Sequence, residues 1–268
     1  MASSRREKEL ARLRAERQTA RRAAEAAKRK QRNTVVASTL AVLAVVGTVA
    51  FVATRGDDTP DAPDDTAATA ADPSAAPSST ATGPCTYAAA GEPSRPVLPP
   101  PPTPTVSGEL TATMKTDRGT VAFTLDAEGA PCASQSFVTL AEQDYFDDTP
   151  CHRLTEGGLS VLQCGDPTGT GTGGPGYQFA EENLEGATYP RGTIAMAKSS
   201  APGSTGSQFF LVYADSALPP EYTVVGKITK GLRVLDKIAA GGIGPADAGG
   251  NTPPERKVQI QDLTTAPA

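Results

Sequence analysis

The stretch Cys151-His152-Arg153-Leu154-Thr155-Glu156-Gly157-Gly158-Leu159-Ser160-Val161-Leu162-Gln163-Cys164-Gly165-Asp166 decides how the chain is read. Two short runs on either side of Glu156-Gly157-Gly158 predict a β-hairpin with a glycine turn. Such a hairpin brings Arg153, a fixed cation, beside Gln163, an amide, on one rigid surface. Neighbours along a strand point to opposite faces, so an outward Arg153 implies an inward His152. His152 is the only histidine, and turned inward it leaves Ser–His or Cys–His catalysis without a base.

Outward from this hairpin the pattern is that of a folded domain from about residue 109 to 264. Leu110–Lys115 and Thr120–Leu125 flank the turn Asp117-Arg118-Gly119, a second hairpin signal. Phe137, Leu140, Ala141 and Tyr145 recur at helical spacing. Gly192–Ala197, Gln208–Tyr213, Thr223–Ile228 and Lys257–Leu263 read as strands, and Gly231–Ala239 as a second helix. Many short strands with two helices predict a mainly β fold of barrel type rather than a parallel α/β sheet.

The four cysteines, Cys85, Cys132, Cys151 and Cys164, allow three complete pairings, and spacing does not choose among them. They do not have zinc-site spacing, so no metal is expected. Gly169-Thr170-Gly171-Thr172-Gly173-Gly174 matches G-x-G-x-x-G, but Pro175 and Gly176 block the helix that a dinucleotide site needs. No cofactor is expected either.

Ahead of this domain the composition changes twice. Residues 1–32 hold 12 of the 25 basic residues and four acids. Val35 to Ala53 then runs 19 residues without a charge, long enough as a helix to cross a bilayer of roughly 30 Å hydrocarbon thickness. A cleaved signal peptide is the alternative, but no A-x-A site closes the run and the basic arm is long for one. We read residues 1–32 as a cytoplasmic arm that contacts lipid rather than nucleic acid, and 33–54 as a single-pass transmembrane helix. The domain is then displayed outside the cell membrane. Residues 55–108, rich in Pro, Ala and Asp, read as a disordered linker, interrupted by Cys85 and Tyr87, near which the chain is expected to begin making contacts, and 265–268 as a tail.

With no nucleophile, metal cluster or carboxylate pair, the Arg/Gln pair beside apolar residues points to non-covalent chemistry. Turning an X–Pro bond is such a reaction: its barrier is roughly 18–20 kcal/mol and it needs neither base nor nucleophile. A guanidinium donating to the twisting amide would favour the transition state over the ground state. Ser136-Phe137, His152-Arg153, Gln163-Cys164-Gly165-Asp166-Pro167, Gly171-Thr172-Gly173-Gly174, Gly192-Thr193-Ile194-Ala195-Met196-Ala197, Gly206-Ser207-Gln208-Phe209-Phe210 and Val225-Gly226-Lys227 carry a resemblance. The domain resembles the cyclophilin family of peptidyl-prolyl cis-trans isomerases, and the leader and cysteines look like its membrane-anchored actinobacterial members.

The resemblance implies a closed eight-stranded antiparallel barrel capped by two helices, acting on proline-containing polypeptides. It implies Arg153 as the catalytic arginine, Gln163 holding the peptide carbonyl, Gln208 orienting Arg153, and Ala197 binding substrate backbone. Val161, Phe210, Leu218 and Tyr222 would form the proline pocket, with Gly171 and Thr172 bordering the pocket for the preceding residue. The hairpin is two residues longer than in familiar eukaryotic members. Ser160 replaces a pocket aromatic, Val161 a methionine, Lys198 an asparagine and Ala217 the tryptophan of cyclosporin-sensitive members. Weak or no cyclosporin binding follows. The missing aromatic also leaves room for a second reading, a tethered proline-peptide receptor or holdase with little turnover. A structural envelope linker is a third.

Overall fold

The computed structural model describes residues 84–267. The expected basic arm, transmembrane helix and residues 55–83 of the expected linker lie outside the described residues. Among the described residues no helix is long and apolar enough to cross a membrane.

Eleven strands and two helices make up the described part. The strands are β1 (Ala88–Ala89), β2 (Glu109–Thr116), β3 (Gly119–Asp126), β4 (Thr149–Cys151), β5 (Arg153–Leu154), β6 (Val161–Cys164), β7 (Tyr177–Gln178), β8 (Thr193–Met196), β9 (Phe209–Val212), β10 (Val224–Lys230) and β11 (Val258–Pro267). The helices are α1 (Pro131–Glu142) and α2 (Leu232–Ala239). Nine strands form one antiparallel sheet in the order β4-β11-β2-β3-β10-β8-β9-β6-β5. Its two end strands, β4 and β5, are successive in the chain and separated only by His152.

The expected count of eight is therefore nine because one strand is broken at His152. The half before the break pairs with β11 and the half after it with β6. The disulfide Cys151–Cys164 and a hydrogen bond from the His152 N–H to the Gln163 carbonyl (3.1 Å) tie the two halves across that seam.

Alternation builds the interior. Leu110, Ala112 and Met114 of β2 and Val121, Phe123 and Leu125 of β3 point inward and are buried. Phe137 of α1 packs its ring edge-on against Phe123 (5.7 Å) and Phe209 (5.2 Å) and lies 5.0 Å from Phe146. These contacts anchor α1 to the barrel, each aromatic pair contributing about 0.5–1.5 kcal/mol beyond its burial. Glu182, 3% exposed, accepts hydrogen bonds from the Cys132 and Ala133 N–H groups, satisfying donors the first helical turn leaves free.

Two expectations change. The segment 84–108, read as disordered linker, lies ordered on the barrel as a strap. Cys85 is bonded to Cys132, and β1 pairs with β7. Two buried glutamines hold its backbone: Gln143 exchanges hydrogen bonds with Leu98 (2.8 and 2.9 Å), and Gln135 accepts from the Thr105 N–H (2.6 Å). Side chains that satisfy backbone groups directly let a proline-rich segment order without a ladder of its own. Residues 265–267, read as tail, belong to β11, where Thr265, Ala266 and Pro267 lie opposite Ala112, Thr111 and Leu110.

Candidate active site

Strands β6, β8 and β9 are buried almost throughout rather than alternating, because both faces of the sheet are covered there. Leu154, Leu162, Leu211 and Ile194 form one row across β5, β6, β9 and β8 and belong to the main core. The adjacent row on the opposite face is Arg153, Gln163, Phe210 and Ala195. On that outer face Val161, Tyr189, Ala195, Phe210 and Val212 make a second, smaller apolar cluster. The site is this outer cluster with a polar edge.

The polar edge is a relay of side-chain amides. Arg153 Nη1 donates to Gln163 Oε1 (3.2 Å), and Gln163 Nε2 donates to Gln208 Oε1 (2.9 Å). Gln208 Nε2 donates in turn to the carbonyls of Gly171 (2.9 Å) and Gly173 (3.0 Å). The direction of donation fixes each amide's orientation, because guanidinium can only donate and carbonyl can only accept. A planar guanidinium carries five N–H donors, so Arg153 keeps donors for a substrate.

The far end of the relay is anchored by Asp166, which is 0% exposed. Its carboxylate accepts from the Thr168 hydroxyl and from the N–H groups of Thr168, Gly171 and Gly173. Burial pushes the carboxyl upward, but the Thr168 hydroxyl and the three N–H donors outweigh it and hold the group below its ordinary range. The loop carrying Gly171 and Gly173 is thereby pinned, and through Gln208 so is Arg153. Gly165 (φ 92°) sits against the Ser207 backbone, a closeness only glycine permits.

His152 is 3% exposed, and neither ring nitrogen has a hydrogen-bond partner among the described residues. Burial, reinforced by the Arg153 charge and opposed by Asp166 and Asp247, lowers its pKa.

Beside Arg153 opens a cavity of about 120 Å³. It is lined by Arg153, Leu159, Val161, Gln163, Ala197, Lys198, Phe210, Leu218 and Tyr222. That volume equals the liquid share of about four waters at roughly 30 Å³ each, which suits a small apolar ring. The Tyr222 ring meets Phe210 edge-on (5.6 Å), and Tyr189 fixes the Tyr222 backbone through its hydroxyl. Lys198 lies 5.8 Å from the Tyr222 ring centroid. A second pocket of about 490 Å³, bordered by Gln163, Gly171, Thr172, Ala197 and Gln208, adjoins the first.

Of the residues singled out in the sequence, Arg153, Gln163, Val161, Ala197, Phe210, Leu218 and Tyr222 line the small cavity, and Gly171 and Thr172 the larger pocket. Gln208 lines the larger pocket and is joined to Arg153 through its hydrogen bond with Gln163. Ser160 is not part of the cavity wall: its N–H bonds Ser216 Oγ and its carbonyl accepts from Tyr213. The longer hairpin presents Leu159 instead. Sequence reading missed Asp166 as the anchor, although Asp-Pro-Thr-Gly is a strong turn signal. It also missed the strap residues that close the larger pocket.

The family model described as cyclophilin type peptidyl-prolyl cis-trans isomerase/CLD matches residues 111–265. This chain belongs to the cyclophilin family. It is 48% identical over 174 residues to the probable peptidyl-prolyl cis-trans isomerase B of Mycobacterium leprae, covering 60% of this chain and 58% of that one. The peptidyl-prolyl cis-trans isomerase of Helicobacter pylori strain 26695 is 44% identical over 136 residues, covering 49% of this cyclophilin and 82% of its relative. A solved cyclophilin type isomerase of Cryptosporidium parvum superposes with a TM-score of 0.53 at 29% identity, covering 60% of this chain and 99% of that chain. A second structure of that protein was determined in the presence of the dipeptide Ala-Pro. The chain spans less than two thirds of the length of its mycobacterial relatives.

Proposed function

We propose that this cyclophilin catalyses cis-trans isomerisation of X–Pro bonds in polypeptides by non-covalent stabilisation of the twisted amide. The observation that carries the reading is Arg153 fixed at the rim of a cavity of about 120 Å³ that Phe210, Leu218 and Val161 help to line, with Gln163 beside it. A proline ring seated on Phe210 presents its amide to the guanidinium. As the peptide plane turns, resonance is lost and electron density returns to the nitrogen, so a donor placed there is stronger in the transition state than in the ground state. Gln163 and Ala197 hold the flanking backbone. The amide relay behind Arg153 keeps the guanidinium aimed without reorganisation.

The domain acts outside the cell, tethered by the apolar run at residues 35–53, and its clients are exported or envelope proteins. Supporting this, all four cysteines are in disulfides, Cys85–Cys132 and Cys151–Cys164, a usage typical of oxidising compartments. Ala217 in place of tryptophan gives weak or no cyclosporin binding, and submicromolar inhibition would contradict that.

NMR exchange spectroscopy on an Ala-Pro peptide tests the activity. The full chain is expected to accelerate cis-trans exchange at catalytic concentration. Binding without acceleration would replace the isomerase reading with a proline-peptide receptor.

A further inference from the structure

The strap does more than lie on the barrel: its residues Ala90–Glu92 and Ser94 form one wall of the 490 Å³ pocket. That pocket and the proline cavity share Gln163, Ala197 and Lys198 as a common border, so a chain with its proline in the small cavity runs straight into the large one. The strap precedes residues 111–265, the part the family model matches. This wall is therefore supplied by the segment ahead of the family domain.

The wall is rigidly placed. Ser94 N–H donates to the Gly174 carbonyl (2.8 Å), the Gly174 N–H donates back to Ser94 Oγ (3.0 Å), and Ala90 N–H donates to Gly176 (2.9 Å). The Cys85–Cys132 bond anchors its start. Two charged side chains face the pocket, Glu92 and Lys198. Lys198 is already engaged, 3.9 Å from the Glu221 carboxylate and over the Tyr222 ring. Glu92 is exposed and forms no ion pair among the described residues. The uncompensated charge on this pocket is negative.

We infer that the strap makes this chain select polypeptides with lysine or arginine on the N-terminal side of the X–Pro bond, with Glu92 as the recognising carboxylate. The inference rests on the isomerase reading, which places proline in the small cavity and the residues before it in the larger pocket. An extended substrate strand sends alternate side chains to the same side, so one basic residue near the X–Pro bond reaches Glu92 while its neighbour stays in solvent.

The test compares two peptides differing only in Lys or Glu before the Ala-Pro pair, assayed by NMR exchange with the full chain and its Glu92→Gln and Glu92→Lys variants. For an exposed ion pair the wild type is expected to favour the Lys peptide in kcat/KM by about twofold to fivefold at low salt. The ratio should shrink as salt screens the pair, fall to about one in Glu92→Gln, and invert in Glu92→Lys. A ratio of one in the wild type, or an unchanged preference in Glu92→Gln, overturns the inference while leaving isomerase activity intact. If no peptide is accelerated at all, the isomerase reading fails. Chemical-shift titration of the same two peptides then still reports whether Glu92 selects the basic one.

Discussion

Strands β5, β6, β9 and β8 carry two rows that differ by one residue in register and in almost everything else. The inner row, Leu154-Leu162-Leu211-Ile194, is fully enclosed and joins the Phe123/Phe137/Phe146/Phe209 cluster. The outer row, Arg153-Gln163-Phe210-Ala195, opens on a cavity and ends in a charge. The barrel thus separates packing from the site by the pleat alone: one face is packed to hold the sheet closed, and the other leaves a cavity of about 120 Å³, which the proposed isomerase function assigns to a proline ring.

Among changes outside the two rows themselves, opening the seam where β4 meets β5 has the largest expected effect. The Cys151→Ala/Cys164→Ala pair opens a bond spanning 13 residues of sequence, and loop-closure entropy makes its loss worth about 3 kcal/mol. Chemical denaturation measures it. Since the same bond adjoins both Arg153 and Gln163, kcat/KM should fall along with stability, and a variant as active as wild type would show that the seam serves only the inner face.

Cutting the outer row's anchor comes next. Asp166→Ala leaves the Gly171 and Gly173 N–H groups without their acceptor, at a cost of about 1–3 kcal/mol. It also releases the Gln208 end of the relay. Loss of turnover exceeding the loss of peptide affinity is the expected split; an effect on affinity alone would mean the relay does not aim Arg153.

The smallest effect concerns pH. The His152 pKa is lowered in the folded protein, so as pH falls below about 6.5, the ordinary histidine value, the unfolded chain binds the proton first. Stability then declines with falling pH until the folded pKa is passed, with a slope of at most one proton. His152→Leu should flatten the stability-versus-pH curve in that window. An identical curve for both proteins would show that His152 does not titrate on unfolding.

Much of this contrast could be read from residues alone. Arg153 and Gln163 lie ten apart around a glycine turn, and strand alternation then decides which neighbours face inward. The hairpins and both helices follow from the same periodicities. What escaped reading has a common cause. The strap is ordered by glutamines of α1 and its C-terminal cap gripping bare backbone and by a disulfide partner 47 residues away, and neither leaves a periodic trace. Its proline content signals a spacer just as strongly when the segment is docked. Likewise, whether Leu159 or Ser160 turns into the cavity depends on loop geometry that composition does not specify. The break at His152 has no glycine or proline at the break itself; Pro150, two residues earlier, lies within β4 and stays paired with Gln259.

The central claim is that adjacent residues of one strand serve separate ends, and the most direct measurement is a paired one on Arg153→Ala and Leu154→Ala. Both are assayed for X–Pro exchange per folded molecule and for unfolding free energy. The account predicts that Arg153→Ala loses about 10²-fold or more in kcat/KM while its stability stays within about 0.5 kcal/mol of wild type. Leu154→Ala should lose about 2–5 kcal/mol of stability while its folded fraction keeps its turnover. Retained catalysis in Arg153→Ala, or matching losses of both quantities in both variants, would contradict it.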